Sequence, residues 1–435
     1  EAKQKSEREQ AERAEKRRLA MDEHQKGLDF VRRRDYENAE RYFDRAININ
    51  DLADAHFEKG LIRYSNFDGF EAVKEFERAN QSSRQESKQI HKPAMFYAGF
   101  VNIDHLDNPQ KATEYFRQLI TEANDEQDYY VMLSKSLTAF TEEKYEEAIK
   151  WAETATQQYS KAWEGWLLRA LYRMQGIGGP FSKPGLMQHR DFKEAYHSLE
   201  KALEINPGQI RCLERRIKLN CGLLRNMDQT LEDAQQLVQD YPKLALFRSI
   251  LGTVHYFRNE YEKSLEILKQ AEQMNDQGSN NLIFQALVYM RLAEEKTENK
   301  EYHYRKSEEY YTRAITITPY ADQIAGRAYV RVQLNNLEGA LEDIRTALNA
   351  DPNNGRAHYA LAIYYGKKDK TEQAIQEFET AITLKFYEAH RELGLLYSEI
   401  QEKEKALQQL TEYIKREIPH RRQEAINKIR ELENN

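Results

Sequence analysis

Along this chain a small residue recurs, followed four positions later by a large apolar residue and three further on by alanine. Ala39–Phe43–Ala46, Ala195–Leu199–Ala202, Ala340–Ile344–Ala347 and Ala374–Phe378–Ala381 are instances. Steps of four and three put all three side chains on one helix face. The leading positions are Ala39, Ala72, Ala112, Ala148, Ala195, Thr230, Ser264, Ser307, Ala340, Ala374 and Ala406, spaced 32 to 47 residues apart around a basic period of 34. A second amphipathic helix pattern precedes each. Gly27, Gly60, Gly252 and Gly394 stand about twelve positions upstream, with Ala170, Ala286, Ala328 and Ala362 filling that slot in other copies. A small residue there lets two helix backbones approach closely. Pro207, Pro242, Pro319 and Pro352 each follow a leading residue by twelve. Proline cannot continue a helix and suits a first turn, so it closes one helix pair and opens the next. One such pair cannot bury its own apolar face, so neighbours must stack. The pattern predicts an all-α array of about eleven helix pairs over residues 20–419.

This pattern resembles the tetratricopeptide repeat. The resemblance implies a right-handed superhelical solenoid of antiparallel helix pairs, with the first helix of each pair lining the concave side. It is strongest in repeats one, seven, nine, ten and eleven. Repeat three departs from it: Gly99 is one residue out of register and Leu119 stands where alanine is usual. Repeat six departs further, with Thr230, Ala234 and Leu237 on its second helix and Lys218 where a small residue belongs.

A solenoid needs polar ends. Residues 1–19 mix basic and acidic side chains at helical spacing, which predicts a solvated helical extension feeding into repeat one, or a stalk continuing from something upstream. Residues 420–435 carry Ala425, Ile426, Ile429 and Leu432 as one apolar stripe and are expected to cap the array. Three insertions depart from the period, near 81–92, 175–189 and 293–304. In solenoids such insertions map to loops or helix extensions on one face, often the binding face. The 175–189 segment holds four Gly and two Pro together with Phe181, Leu186 and Met187, and is expected to contribute to partner binding.

Composition narrows the class. Aromatics are plentiful, with 27 Tyr and 17 Phe, which excludes disorder. Gly and Pro, at 18 and 9, are too scarce for a large sandwich or barrel. Two Cys exclude a disulfide framework and a Cys-rich zinc module. No apolar run approaches the roughly 18 residues of a membrane span. The net charge of −7 gives no pull toward nucleic acid or anionic membrane. The chain starts at Glu1 rather than Met, so an upstream signal, anchor or further domain stays open, as does the compartment.

Catalytic chemistry is not legible. The glycine-rich stretch around Lys183 lacks Gly-Lys-Ser/Thr, and Pro184 follows the lysine, so it is not a phosphate loop. No His spacing matches a metal site; Asp104, His105 and Asp107 read as solvated turn residues. Cys212 and Cys221, nine apart on one helix, are over ~13 Å apart along its axis and read as packing residues. No enzyme, cofactor or metal is expected. Relatives that grip chaperone-tail carboxylates begin their signature with Lys-x-x-Gly-Asn. Leu28 and Leu61 stand at the Asn position here, so that clamp is not expected.

Side chains three before and one after the small slot, with others a turn on, are expected to face the concave side: Phe57, Leu61, Tyr64 and Tyr97 near the start, then Leu133, Leu137 and Phe140, then Tyr256 and Phe257. Arg215, Arg356, Tyr359, Lys367 and Arg391 lie further along. The first half reads as aromatic and the second as more basic; inter-repeat packing is the plainer role for many of these side chains. Groove aromatics are what a peptide or partner helix needs. The expectation is therefore a non-catalytic interaction scaffold or adaptor that binds protein segments. A permanent structural subunit of a larger assembly is the alternative, and an RNA-binding helical repeat fits the charge poorly.

Overall fold

A computed structural model describes residues 2–174, 189–207, 209–223, 226–274, 278–295, 298–415 and 422–434. Every regular element among them is an α-helix. The chain divides into two compact units at Asn226/Met227, inside the sixth repeat. Unit 1 holds α1 (Ala2–Arg32), α2 (Tyr36–Ile49), α3 (Ala53–Ser65), α4 (Gly69–Ser87), α5 (Lys92–Asp104), α6 (Pro109–Ala123), α7 (Tyr129–Thr141), α8 (Tyr145–Gln158), α9 (Trp163–Arg173), α10 (His189–Ile205) and α11 (Ile210–Leu223). Unit 2 holds α12 (Met227–Asp240), α13 (Ala245–Phe257), α14 (Tyr261–Gln273), α15 (Ser279–Glu295), α16 (Lys300–Ile317), α17 (Ala321–Gln333), α18 (Leu337–Ala350), α19 (Gly355–Lys367), α20 (Thr371–Thr383), α21 (Ala389–Glu399), α22 (Lys403–Lys415) and α23 (Arg422–Asn434). Within each unit, odd-numbered helices up to α9 and from α13 to α21 pack as hairpins with the next helix in the chain. The fold is an all-α solenoid of stacked pairs.

The small-residue slot works as its position implies. A Cβ placed on Gly60, Gly99 or Gly252 would collide with Phe76, Phe116 or Leu268, the large residue four beyond the leading position of the same repeat. Gly99 therefore does the same packing job as the others. Its one-residue offset is absorbed by the α5–α6 turn, which spans 105–108 where the α3–α4 turn spans 66–68. Where the leading residue is serine, its hydroxyl ties the two helices: Ser264 Oγ donates to the Gly252 carbonyl at 2.7 Å and Ser307 Oγ to that of Ala286 at 2.8 Å. Ser136, in the slot of repeat four, makes the reverse bond to the Ala148 carbonyl at 2.7 Å.

The hairpin turns repeat too. Asp35, Asp68, Asn108 and Asn336, four before their leading residues, cap the second helices by accepting a backbone N–H. The residue just before the cap adopts a left-handed backbone, at Arg34, Phe67, Asp107, Glu143, Asn259, Asn335, Asp369 and Gln401, with φ between 49° and 63° at the first four and between 57° and 65° at the rest. No glycine occupies these positions.

The helix α1 runs unbroken from the charged extension into repeat one. The insertion near 81–92 lies within described residues, and the one near 293–304 does so apart from 296–297. The first lengthens α4, whose Glu86 pairs with Arg17 of α1. The one near 293–304 lengthens α15 and α16. Phe181, Leu186 and Met187 lie outside the described residues. At the other end, Ala425 of α23 is buried against Leu410 and Tyr413, with Ile429 and Leu432 beside it.

Candidate protein-binding grooves

In unit 1 Phe57, Tyr64 and Tyr97 form an aromatic cluster on the first helices of repeats two and three. Phe57 packs on Phe76 and edge-on to Tyr97, each with ring centroids 5.7 Å apart. Phe140 stacks on Tyr172 at 5.1 Å. Tyr97 is buried; its hydroxyl donates to Glu164 of α9 at 3.0 Å, and Tyr129 donates to the other oxygen at 3.2 Å. Burial pushes the Glu164 carboxyl up. Glu58, half-buried beside the charge of Asp54, is pushed up to about 7 by partial desolvation and that charge.

Tyr64 and Arg215 converge on Asp104. The Tyr64 hydroxyl donates to Asp104 Oδ2 at 2.7 Å and Arg215 Nη2 to Oδ1 at 2.9 Å. Arg211 Nε lies 3.2 Å from Oδ2, and its guanidinium sits over the Phe67 ring at 4.2 Å and the Tyr64 ring at 5.0 Å. Glu214 completes the cluster, accepting from Arg211 Nη1 at 2.7 Å. Burial would raise the Asp104 carboxyl, but Arg211 and Arg215 outweigh it and hold it below the usual carboxylate range. Burial, reinforced by the Arg211 charge, lowers His105 to about 4.

This corrects the reading of Asp104 and His105 as solvated turn residues. The Asp104 side chain is 2% exposed and ends α5 rather than starting a turn. It is covered because α11, the first helix of repeat six, lies against the ends of α3 and α5. Burial, and next the Glu164 carboxylate, push the Cys212 thiol up. Cys212 and Cys221 are both buried free thiols.

In unit 2 the corresponding face carries a ladder of polar bonds between residues about one repeat apart. Tyr329 donates to Glu294 at 2.8 Å, and Arg391 to Glu424 at 2.9 Å. The Tyr359 hydroxyl reaches Glu392 at 3.5 Å. Arg291 donates to Glu294 at 2.9 Å and, at 3.4 Å, to the hydroxyl of Tyr256. Tyr256 and Phe257 both pack edge-on against Phe284. Tyr359 lies between Tyr329, at 5.5 Å, and Phe386, at 5.0 Å.

The arginines expected to make this half basic are matched by carboxylates. Arg356 lies 3.4 Å from Asp322, and Arg391 is paired with both Glu392 and Glu424. The face is mixed in charge, not basic: Arg356 and Arg391 each meet a carboxylate about one period away. Beside the ladder, helices α15 to α21 leave an open trough of about 450 Å³, lined among others by Tyr304, Tyr329, Gln333, Gly366, Lys367 and Glu392. A smaller hollow of about 40 Å³ sits under Arg291, Arg356 and Phe386. Among the described residues no three His, Cys, Asp or Glu side chains converge to hold a metal, and no helix is long and apolar enough to cross a membrane.

Comparison with known proteins matches residues 344–376, from α18 into α20, to the family model described as tetratricopeptide repeat. A DnaJ homolog subfamily C member 7 homolog from Dictyostelium discoideum is 24% identical over 186 residues, 40% of this chain and 34% of the relative. The human DnaJ homolog subfamily C member 7 is 23% identical over 220 residues, 47% of this chain and 43% of the relative. The match thus spans less than half the length of these curated relatives. Among solved structures, the human IFIT1 dimer with m7Gppp-AAAA superposes with a TM-score of 0.50 at 13% identity, covering 84% of this chain and 90% of that one. The Cut9 assembly with Hcn1 gives 0.43 at 14% identity, covering 90% and 86%. Residues 344–376 thus match a tetratricopeptide repeat, and the period, the glycine-slot packing and the stacked helix pairs give both units the fold of tetratricopeptide-repeat solenoids.

Proposed function

We propose that this protein is a non-catalytic scaffold that holds segments of other proteins in the trough of unit 2. Tetratricopeptide-repeat folds serve generally as protein-interaction scaffolds. The observation that carries the finer reading is the open trough along α15 to α21, in which tyrosines and paired charges stand on rigid helices rather than loops. Tyrosines supply contact area at low entropic cost, and carboxylate and lysine heads fix the orientation of a peptide backbone. The mixed charge favours a protein segment over a nucleic-acid strand, which needs a continuous basic track. Capture of a chaperone-tail carboxylate is not part of the proposal, because Leu28 and Leu61 stand at the clamp's Asn position, and Leu28 packs into the repeat-one core.

Gly366 provides the test. It lines the trough, and a side chain added there meets no atom within 4 Å. Gly366→Trp fills the trough without entering the core, and replacing a helical glycine raises helix propensity by about 0.5–1 kcal/mol. Peptides selected from a random library against the full chain are expected to lose at least ~10-fold in affinity for this variant, with melting unchanged or higher. Equal binding to both proteins removes the trough as the site.

A further inference from the structure

Unit 1 presents the same kind of first-helix face, and α11 lies on it. Contacts between stacked repeats run mostly to residues about one period away, as from Tyr329 to Glu294 and Arg391 to Glu424, with longer ones from Tyr97 to Glu164 and from Arg291 to Glu388. The bond from Arg215 to Asp104 spans 111 residues, and reaches back to the end of the third repeat's first helix. Arg211, one turn earlier, lies over Tyr64 and Phe67 of the second repeat. The residue in the small slot of this helix is Lys218, which pairs with Glu214 of α11 itself at 2.8 Å. A lysine there cannot support the close helix approach that glycine, alanine or serine gives the other repeats. The chemistry of α11 is that of a ligand: two arginines one turn apart, gripping one buried carboxylate and two aromatic rings.

The fit is incomplete. Asn220 is fully buried on α11, and neither atom of its amide has a hydrogen-bond partner. Both ring nitrogens of His105, enclosed against Phe67 and Tyr64 beside Asp104, are also without one. Buried polar groups left unmet penalise the state that buries them. A partner helix that kept the arginine pair and relieved Asn220 would make the better occupant.

We propose that α11 is a displaceable internal occupant of the unit 1 groove, and that the groove receives a partner's amphipathic helix carrying two arginines four residues apart, docked on Asp104 in place of Arg211 and Arg215. The inference concerns a different groove from the unit 2 trough and does not depend on it. The resting chain hides the site, and a partner's apparent affinity is reduced by the fraction of chains in which α11 has left.

The test uses a fluorescent peptide with the sequence of residues 209–223, titrated onto the full chain. The Arg211→Glu/Arg215→Glu variant, which loosens the chain's own α11, is expected to bind the peptide at least ~10-fold more tightly than the unmodified protein does. Adding Asp104→Ala to that variant should abolish the gain. A variant that stays helical and melts cooperatively yet ignores the peptide overturns the proposal, as does an unmodified chain that binds it equally well. Hydrogen exchange on the unmodified protein decides the matter should the variant fail to fold. Amides of α11 are expected to exchange faster than those of α5 and α7, and equal protection would make α11 ordinary core and end the proposal.

Discussion

The two units use the same repeat chemistry and finish with different surfaces. In unit 1 the first helices bury Tyr64, Tyr97 and the side chain of Asp104, with Glu164 half-buried beside them, and α11 lies over part of that face. In unit 2 Tyr329, Tyr359, Arg391 and Glu392 bond along the ladder and leave an open trough beside it. A repeat's inner face thus supplies a set of aromatic and charged groups, and the helices later in the chain decide whether they are covered. The polar groups have to be matched in either case. Unit 2 matches most of them between neighbouring repeats, with Arg291 also 3.7 Å from Glu388, whereas unit 1 borrows two arginines from a later helix.

Removing the carboxylate at the centre of unit 1 should have the largest effect. Asp104→Ala leaves Arg211 and Arg215 buried without their counter-ion and is expected to destabilise unit 1 by about 3–5 kcal/mol. Glu424→Ala, which removes a half-exposed partner of Arg391 in unit 2, should cost ~1 kcal/mol or less. Chemical denaturation of the two variants checks the contrast, and equal losses would erase it.

Ala340→Leu comes next. Ala340 has no exposed surface, and a branched side chain there should cost ~1–3 kcal/mol, while Glu338→Leu on the exposed side of α18 should change stability by less than ~0.5 kcal/mol. Equal tolerance would mean that the close approach of helices does not hold unit 2 together.

The third prediction concerns acid and base. Glu58, pushed up to about 7 from an ordinary value of 4.5, favours its protonated form in the folded state. Its contribution is full below the ordinary value and is lost as pH rises through 7. His105, lowered to about 4 from 6.5, contributes fully above 6.5 and loses that contribution as pH falls through 4. The two oppose each other between about pH 4.5 and 6.5. Glu58→Gln should therefore stabilise unit 1 by the order of 1–2 kcal/mol at pH 8 and by little at pH 4.5. It should also uncover a rise in stability with pH between about 4.5 and 6.5. Melts across that range read the change, and a variant curve parallel to the parent's would contradict it.

The smallest effect belongs to a feature both units share. Gln401 holds φ at 65°, where a residue with a Cβ is strained, so Gln401→Gly should gain about 0.5–1 kcal/mol. Glu143→Gly in unit 1, at φ 63°, should gain as much. A loss at either site would show that the turn is not under strain.

Much of this was legible in the sequence because it is periodic. The 4-and-3 spacing gave the helix faces, and the slot glycines gave the close contacts, Gly99 included once a turn is allowed one more residue. Aperiodic contacts could not be read. Asp104 looked solvated because nothing local shows that Arg211 and Arg215, over a hundred residues on, will enclose it. The basic character assigned to Arg356 and Arg391 failed for a more avoidable reason. Asp322 and Glu424 stand 34 and 33 residues away, so pairing charges one period apart would have found them.

Photo-crosslinking of library-selected peptides to the intact chain tests the contrast between the two grooves most directly. Each peptide carries one photoreactive residue, and the attachment sites are read by mass spectrometry. Crosslinks are expected on the unit 2 trough, at residues such as Gln333 and Lys367, with the faces around Tyr64 and Asp104 unlabelled while α11 is in place. Peptides that label the Asp104 face of the unmodified chain and leave the trough untouched would contradict the account.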